Sequence, residues 1–110
     1  MTGISIQIDE QNGYTVLTIT GPINSYTFTE LQEKITRFAG QTNLAVHLGG
    51  VTTMTSAGIG VILAAIEDAD AAGKKIFILA PSEIARLAME STGFMDSFPI
   101  LQSVKDLPQA

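Results

Sequence analysis

The residues best placed to do chemistry are the hydroxyl side chains of Met54-Thr55-Ser56-Ala57-Gly58-Ile59-Gly60, backed by the run Val61-Ile62-Leu63-Ala64-Ala65-Ile66. Ahead of them lie a β-like run, Leu44-Ala45-Val46-His47-Leu48, and a polar connection, Gly49-Gly50-Val51-Thr52-Thr53. The order reads strand, loop, then a helix that begins with hydroxyl and small residues. Ser and Thr favour helix N-termini because their oxygens accept from backbone N–H groups that have no partner within the helix. The same placement sets a hydroxyl where the helix's partial positive charge favours a phosphate.

Other chemistry finds little support. His47 is the only histidine, so a two-histidine metal site is absent and a catalytic triad would need a residue from within a strand. Its alternation with Val46 and Leu48 gives it a structural or surface role. Gly73-Lys74-Lys75 lacks the upstream glycine spacing of a phosphate-binding loop and follows a helix instead of opening one, so it reads as a turn. Glu67, Asp68 and Asp70 fall within a helical pattern and lack calcium-loop spacing, which makes them a solvated face. No cysteine is present, which excludes disulfides and thiolate metal sites. The chain reads as a non-enzyme without a metal or cofactor.

The elements that position the hydroxyl stretch follow from periodicity. Ile4–Ile8 alternates with period two, Asn12-Gly13 is a strong hairpin signal, and Tyr14–Thr20 returns as a β-branched strand ended by Gly21-Pro22. Ser25 or Thr27 can cap the next helix, with Thr27-x-x-Glu30 as a capping box and Phe28, Leu31, Ile35 and Phe38 on its buried face. Leu44–Leu48 is the third strand, and the central helix runs to about Ala72. Ile76–Ala80 is an unbroken apolar run, suited to a strand covered on both faces. Pro81-Ser82 opens a shorter helix with Ile84, Leu87, Ala88 and Ser91 on one side and Gly93 as its stop. Phe98–Leu101 is a last edge strand, and Ser103–Leu107 adds a helical turn. Strands separated by helices of this length imply right-handed parallel crossovers. The expected fold is one α/β domain over residues 1–110, with a mixed sheet of four to five strands, antiparallel only in the N-terminal hairpin.

Within the central helix, Ile59, Ile62, Leu63 and Ile66 form the core stripe, and Gly58, Val61 and Ala65 form a small apolar stripe beside it. Gly60 and Ala64 add a third uncharged line. A helix apolar on all sides has to be covered on several of them, by its own domain or by a partner.

Bulk composition sets the class. The chain has 110 residues, of which 45% are hydrophobic and 15% charged, as expected of a compact globular domain. A net charge of −5, with six scattered basic residues, argues against nucleic acid or an anionic membrane as partner. Met1–Ile8 lacks the basic start and apolar block of a signal peptide, and no apolar run approaches membrane-spanning length, so a cytoplasmic protein is expected. A weakly capped first strand and a proline-bearing last strand suggest managed sheet edges and a monomer when free.

The order of elements, together with Val51-x-x-Met54-Thr55-Ser56-Ala57-Gly58-Ile59-Gly60-Val61-Ile62-Leu63, resembles the STAS domain family, particularly the bacterial anti-sigma factor antagonists. Gly21-Pro22-Ile23-Asn24 and Ser91-Thr92-Gly93-Phe94 are similar to two further stretches of that family. The resemblance covers nearly the whole chain. It implies that Ser56 is the phosphorylation site, with Thr55, Thr53 and Thr52 as alternative acceptors. It implies as partners an anti-sigma factor that is also a serine kinase, whose phosphorylation of the chain ends binding, and a PP2C-type phosphatase that resets it. The surface so implied comprises Asn24, Met54, Thr55, Ser56, Ala57, Gly58, Val61 and Ala65. Thr55 and Asn24 stand where the family pattern has aspartates. The alternative within the family is a module that binds a nucleotide or lipid, or serves as a scaffold subunit without phosphorylation.

Overall fold

In the computed structural model, residues 3–93 and 95–109 are described. Five strands and three α-helices follow in the order β1 (Ser5–Gln11), β2 (Tyr14–Ile23), α1 (Phe28–Phe38), β3 (Leu44–Met54), α2 (Ser56–Ala71), β4 (Ile76–Leu79), α3 (Glu83–Glu90) and β5 (Ile100–Leu101). Short 3-10 turns cover Met95–Ser97 and Val104–Asp106. Phe94, the last residue of the Ser91–Phe94 motif, lies outside the described residues.

The sheet order is β1-β2-β3-β4-β5, with β1 antiparallel to β2 and every other pair parallel. This is the mixed sheet expected from the sequence. The hairpin closes on Asn12 at φ 55° and Gly13 at φ 83°, the left-handed pair that a two-residue turn with the strands' own twist demands. Residues from α1, α2 and α3 share one apolar cluster with Leu17, Ile19, Val46 and Ile78, so all three helices cover the same face of the sheet. On the opposite face Tyr14, Val16, Ala45 and Leu79 are covered by Leu107, with Phe77, Leu101 and Val104 packed around them. The Tyr14 hydroxyl donates to the Pro108 carbonyl at 3.0 Å, tying the C-terminal segment down.

Two expectations are corrected here. Gly21-Pro22 does not end β2, and Gly49–Thr53 is strand, not loop. Thr20, Gly21, Pro22 and Ile23 pair with Gly50, Val51, Thr53 and Met54, with register shifts between Thr18 and Thr20 and between Gly21 and Pro22. The pairing supplies hydrogen bonds to two segments whose compositions, taken separately, read as turns. Gly21, at φ 106°, also leaves room for the Gly3 carbonyl, which would lie 2.8 Å from a Cβ there.

The capping box at α1 is not formed either. Thr27 precedes the helix without capping it, and the Asn24 carboxamide takes the N–H groups of Tyr26 and Thr27 instead. On α3, the buried residues are Ala85 and Met89, whereas Ile84 and Leu87 are 50% and 51% exposed. The Ser82 hydroxyl accepts from Ala85 N–H and donates to the Val51 carbonyl, and this anchor sets the rotation of so short a helix.

Candidate functional site

The carboxyl ends of β2 and β3 lie side by side, with Ile23 opposite Met54 and the Thr55 N–H donating to the Ile23 carbonyl at 3.0 Å. The loop into α1 and the start of α2 are thereby held together at one end of the sheet. Crevices at the carboxyl ends of parallel strands are where α/β proteins place their recognition sites.

Thr55 is the residue before α2, in extended conformation, and Ser56 is the first helical residue. The first helical bond runs from Ile59 N–H to the Thr55 carbonyl. The N–H groups of Ser56, Ala57 and Gly58 precede it, and the Thr55 hydroxyl caps none of them. Thr55 Oγ1 is buried without a hydrogen-bond partner and is the only such side-chain atom among the described residues. Ser56 is exposed. The Thr55 hydroxyl is therefore hidden while the next residue stands at the surface.

Gly58 presses the helix start against β2. A Cβ at that position would lie 2.4 Å from Cγ2 of the fully buried Ile23. Gly60, two residues on, is exposed and has nothing within 4 Å of its would-be Cβ.

An open groove of about 430 Å³ runs beside Ser56, lined by Met54, Thr55, Ser56 and Ile59 on one side and Ala88, Ser91 and Thr92 on the other. None of these residues is charged. On α3, Arg86 and Glu90 form an ion pair 2.6 Å long.

The structure thus brings Asn24, Met54, Thr55, Ser56 and Ala57 to one end of the sheet. It turns Gly58, Val61 and Ala65 inward, with Val61 6% and Ala65 2% exposed. The reason is the absence of polar contrast along the first half of α2, which leaves its rotation to packing. The line that faces water is Ser56, Gly60 and Ala64. Thr52 and Thr53 are exposed at the end of β3. His47 lies within β3, its Nδ1 accepting from Gly49 N–H at 3.2 Å. Sequence reasoning did not place the α3 wall of the groove at this site. It also passed over Tyr26, which is 92% exposed in the turn beside Asn24. The spacing that puts Ala88 and Ser91 on one side of the helix is legible in the sequence, but nothing in it points to α2.

Comparison with known proteins agrees with the fold. A STAS domain model matches residues 5–107. An anti-sigma-B factor antagonist of Staphylococcus aureus is 27% identical over 95 residues, covering 84% of this chain and 88% of the relative. A solved anti-sigma factor antagonist from Mycobacterium paratuberculosis superposes with a TM-score of 0.83 at 21% identity, covering 94% of this chain and 89% of that one. The Bacillus cell fate determinant SpoIIAA, in its phosphorylated form, superposes with a TM-score of 0.71 at 17% identity, covering 93% and 94% of the two chains. Among the described residues no helix is long and apolar enough to cross a membrane.

Proposed function

We propose that this chain, which belongs to the STAS domain family, is an anti-sigma factor antagonist whose binding is switched by phosphorylation of Ser56. In its unmodified form it docks an anti-sigma factor that is also a serine kinase, through the face formed by Asn24, Ser56, Ala57, Gly60 and Ala64 and the adjoining groove. The kinase transfers phosphate to the Ser56 hydroxyl, the complex separates, and a PP2C-type phosphatase restores the binding form. The chain acts as a cytoplasmic binding protein in this cycle, and ATP belongs to its partner.

The observation that carries this reading is the exposed Ser56 at the first position of α2, lining an uncharged groove. A phosphate there adds about −1.5 to −2 charges at pH 7. The uncapped N–H groups and the helix dipole accommodate that charge, so the fold need not change. The docking face does change, because a dianion now stands where a partner met small neutral residues. Burying it unpaired costs several kcal/mol, and each 1.4 kcal/mol is about tenfold in affinity. The buried Oγ1 of Thr55 favours Ser56 as acceptor over its neighbour. That a SpoIIAA structure represents a phosphorylated form is a precedent within the fold.

The test is co-expression with serine kinases encoded near its gene, followed by intact-mass measurement. Wild type gains one phosphate mass and Ser56→Ala gains none, while Ser56→Asp binds the kinase at least about tenfold more weakly than Ser56→Ala. A phosphate on Ser56→Ala, or equal binding by Ser56→Asp, defeats the proposal.

A further inference from the structure

Asn24 stands one residue beyond Ile23, whose carbonyl holds Thr55, and its side chain has a fixed polarity. Its Oδ1 accepts from Tyr26 N–H at 2.8 Å and from Thr27 N–H at 3.1 Å. Backbone N–H groups can be met only by the oxygen of a carboxamide, so the amide cannot be flipped. Thr27 Oγ1 reinforces the turn by donating to the Pro22 carbonyl at 2.8 Å and accepting from Asn24 N–H at 2.9 Å. The oxygen is therefore committed to the turn, and the NH2 group is left over. That group makes no hydrogen bond to any described residue, nor is it fully buried, since Thr55 Oγ1 is the only fully buried side-chain polar atom without a partner among the described residues. Two N–H donors are thus left uncommitted at the end of the sheet where α2 begins.

We infer that Asn24 is a specificity determinant: its NH2 group donates to a carbonyl or carboxylate oxygen on the docking protein, and so selects a partner that presents an acceptor there. The inference rests on the reading that this face docks a protein, and adds what the partner must offer. A lysine or arginine of the partner in that place would set donor against donor. An aspartate at position 24 would make the same turn, because a carboxylate oxygen accepts the same two N–H groups, but would turn an acceptor outward.

The experiment titrates the kinase that phosphorylates Ser56 with Ser56→Ala, which cannot be modified, and with the same chain carrying Asn24→Asp or Asn24→Ser. Serine keeps an acceptor for the turn and replaces the NH2 group with a single, shorter hydroxyl donor, without adding charge. Thermal unfolding of each variant checks that the turn survives. The expected result is a loss of about 10- to 100-fold for Asn24→Asp and a smaller loss for Asn24→Ser, with melting temperatures held. An Asn24→Asp loss that shrinks as salt is raised identifies a carboxylate on the partner, and a salt-independent one identifies a carbonyl. Equal or tighter binding by Asn24→Asp overturns the inference and leaves the switch intact. Failure of Ser56→Ala itself to bind overturns the docking reading, and this inference with it.

Discussion

Thr27 and Thr55 each stand immediately before a helix at the same end of the sheet, and their hydroxyls have opposite fates. Thr27 is buried and fully engaged, donating to Pro22 and accepting from Asn24. Thr55 Oγ1 is equally hidden from water and engages nothing. The start of α1 is locked by its own residues, whereas the start of α2 has a free hydroxyl and uncapped N–H groups. The locked loop supplies rigidity and fixes what Asn24 presents. The uncommitted one has spare capacity for hydrogen bonding where a phosphate would arrive.

The contrast breaks most sharply at Thr27. Thr27→Val leaves the Asn24 N–H and the Pro22 carbonyl without their partner, and the expected loss is about 2–3 kcal/mol. Chemical denaturation measures it, and a loss under about 0.5 kcal/mol would show that the network contributes nothing net.

A smaller effect separates two glycines of α2. Gly58→Ala forces a methyl onto the buried, β-branched Ile23, and after the gain in helix propensity a net loss of about 1–2 kcal/mol is expected. Gly60→Ala meets open space and gains about 1 kcal/mol. Thermal melts of the two variants moving in opposite directions would place the close packing at Gly58 alone. Movement in the same direction would contradict the seating of α2 on β2.

The smallest change is Thr55→Val, which removes the orphaned hydroxyl at nearly constant shape. Stability is expected to hold or to rise by up to about 1 kcal/mol. A clear loss in the same denaturation assay would mean that the hydroxyl caps α2 in solution.

How much was legible differs between helices for a physical reason. In α1 the apolar residues occupy one face and polar residues the rest, and Leu31 and Ile35 are buried as that spacing implies. In α2 the first ten residues carry no charge, so periodicity gave no direction, and the stripe Gly58, Val61, Ala65 turned inward. In α3 a short helix follows its anchor at Ser82 more than its own pattern, leaving Ile84 and Leu87 half exposed.

The chain by itself determined the order of elements, the left-handed hairpin at Asn12-Gly13 and the hydroxyl at the start of α2, because each depends on local backbone and side-chain preferences. Only the tertiary structure decided that Gly49–Thr53 is strand, that the Thr55 hydroxyl is hidden while Ser56 is exposed, and that the end of α3 and the residues after it form the groove's far wall. Those outcomes depend on partners distant in sequence: β2 completes the hydrogen bonds of β3, Ile23 sets the seat of α2, and Val51 anchors the start of α3.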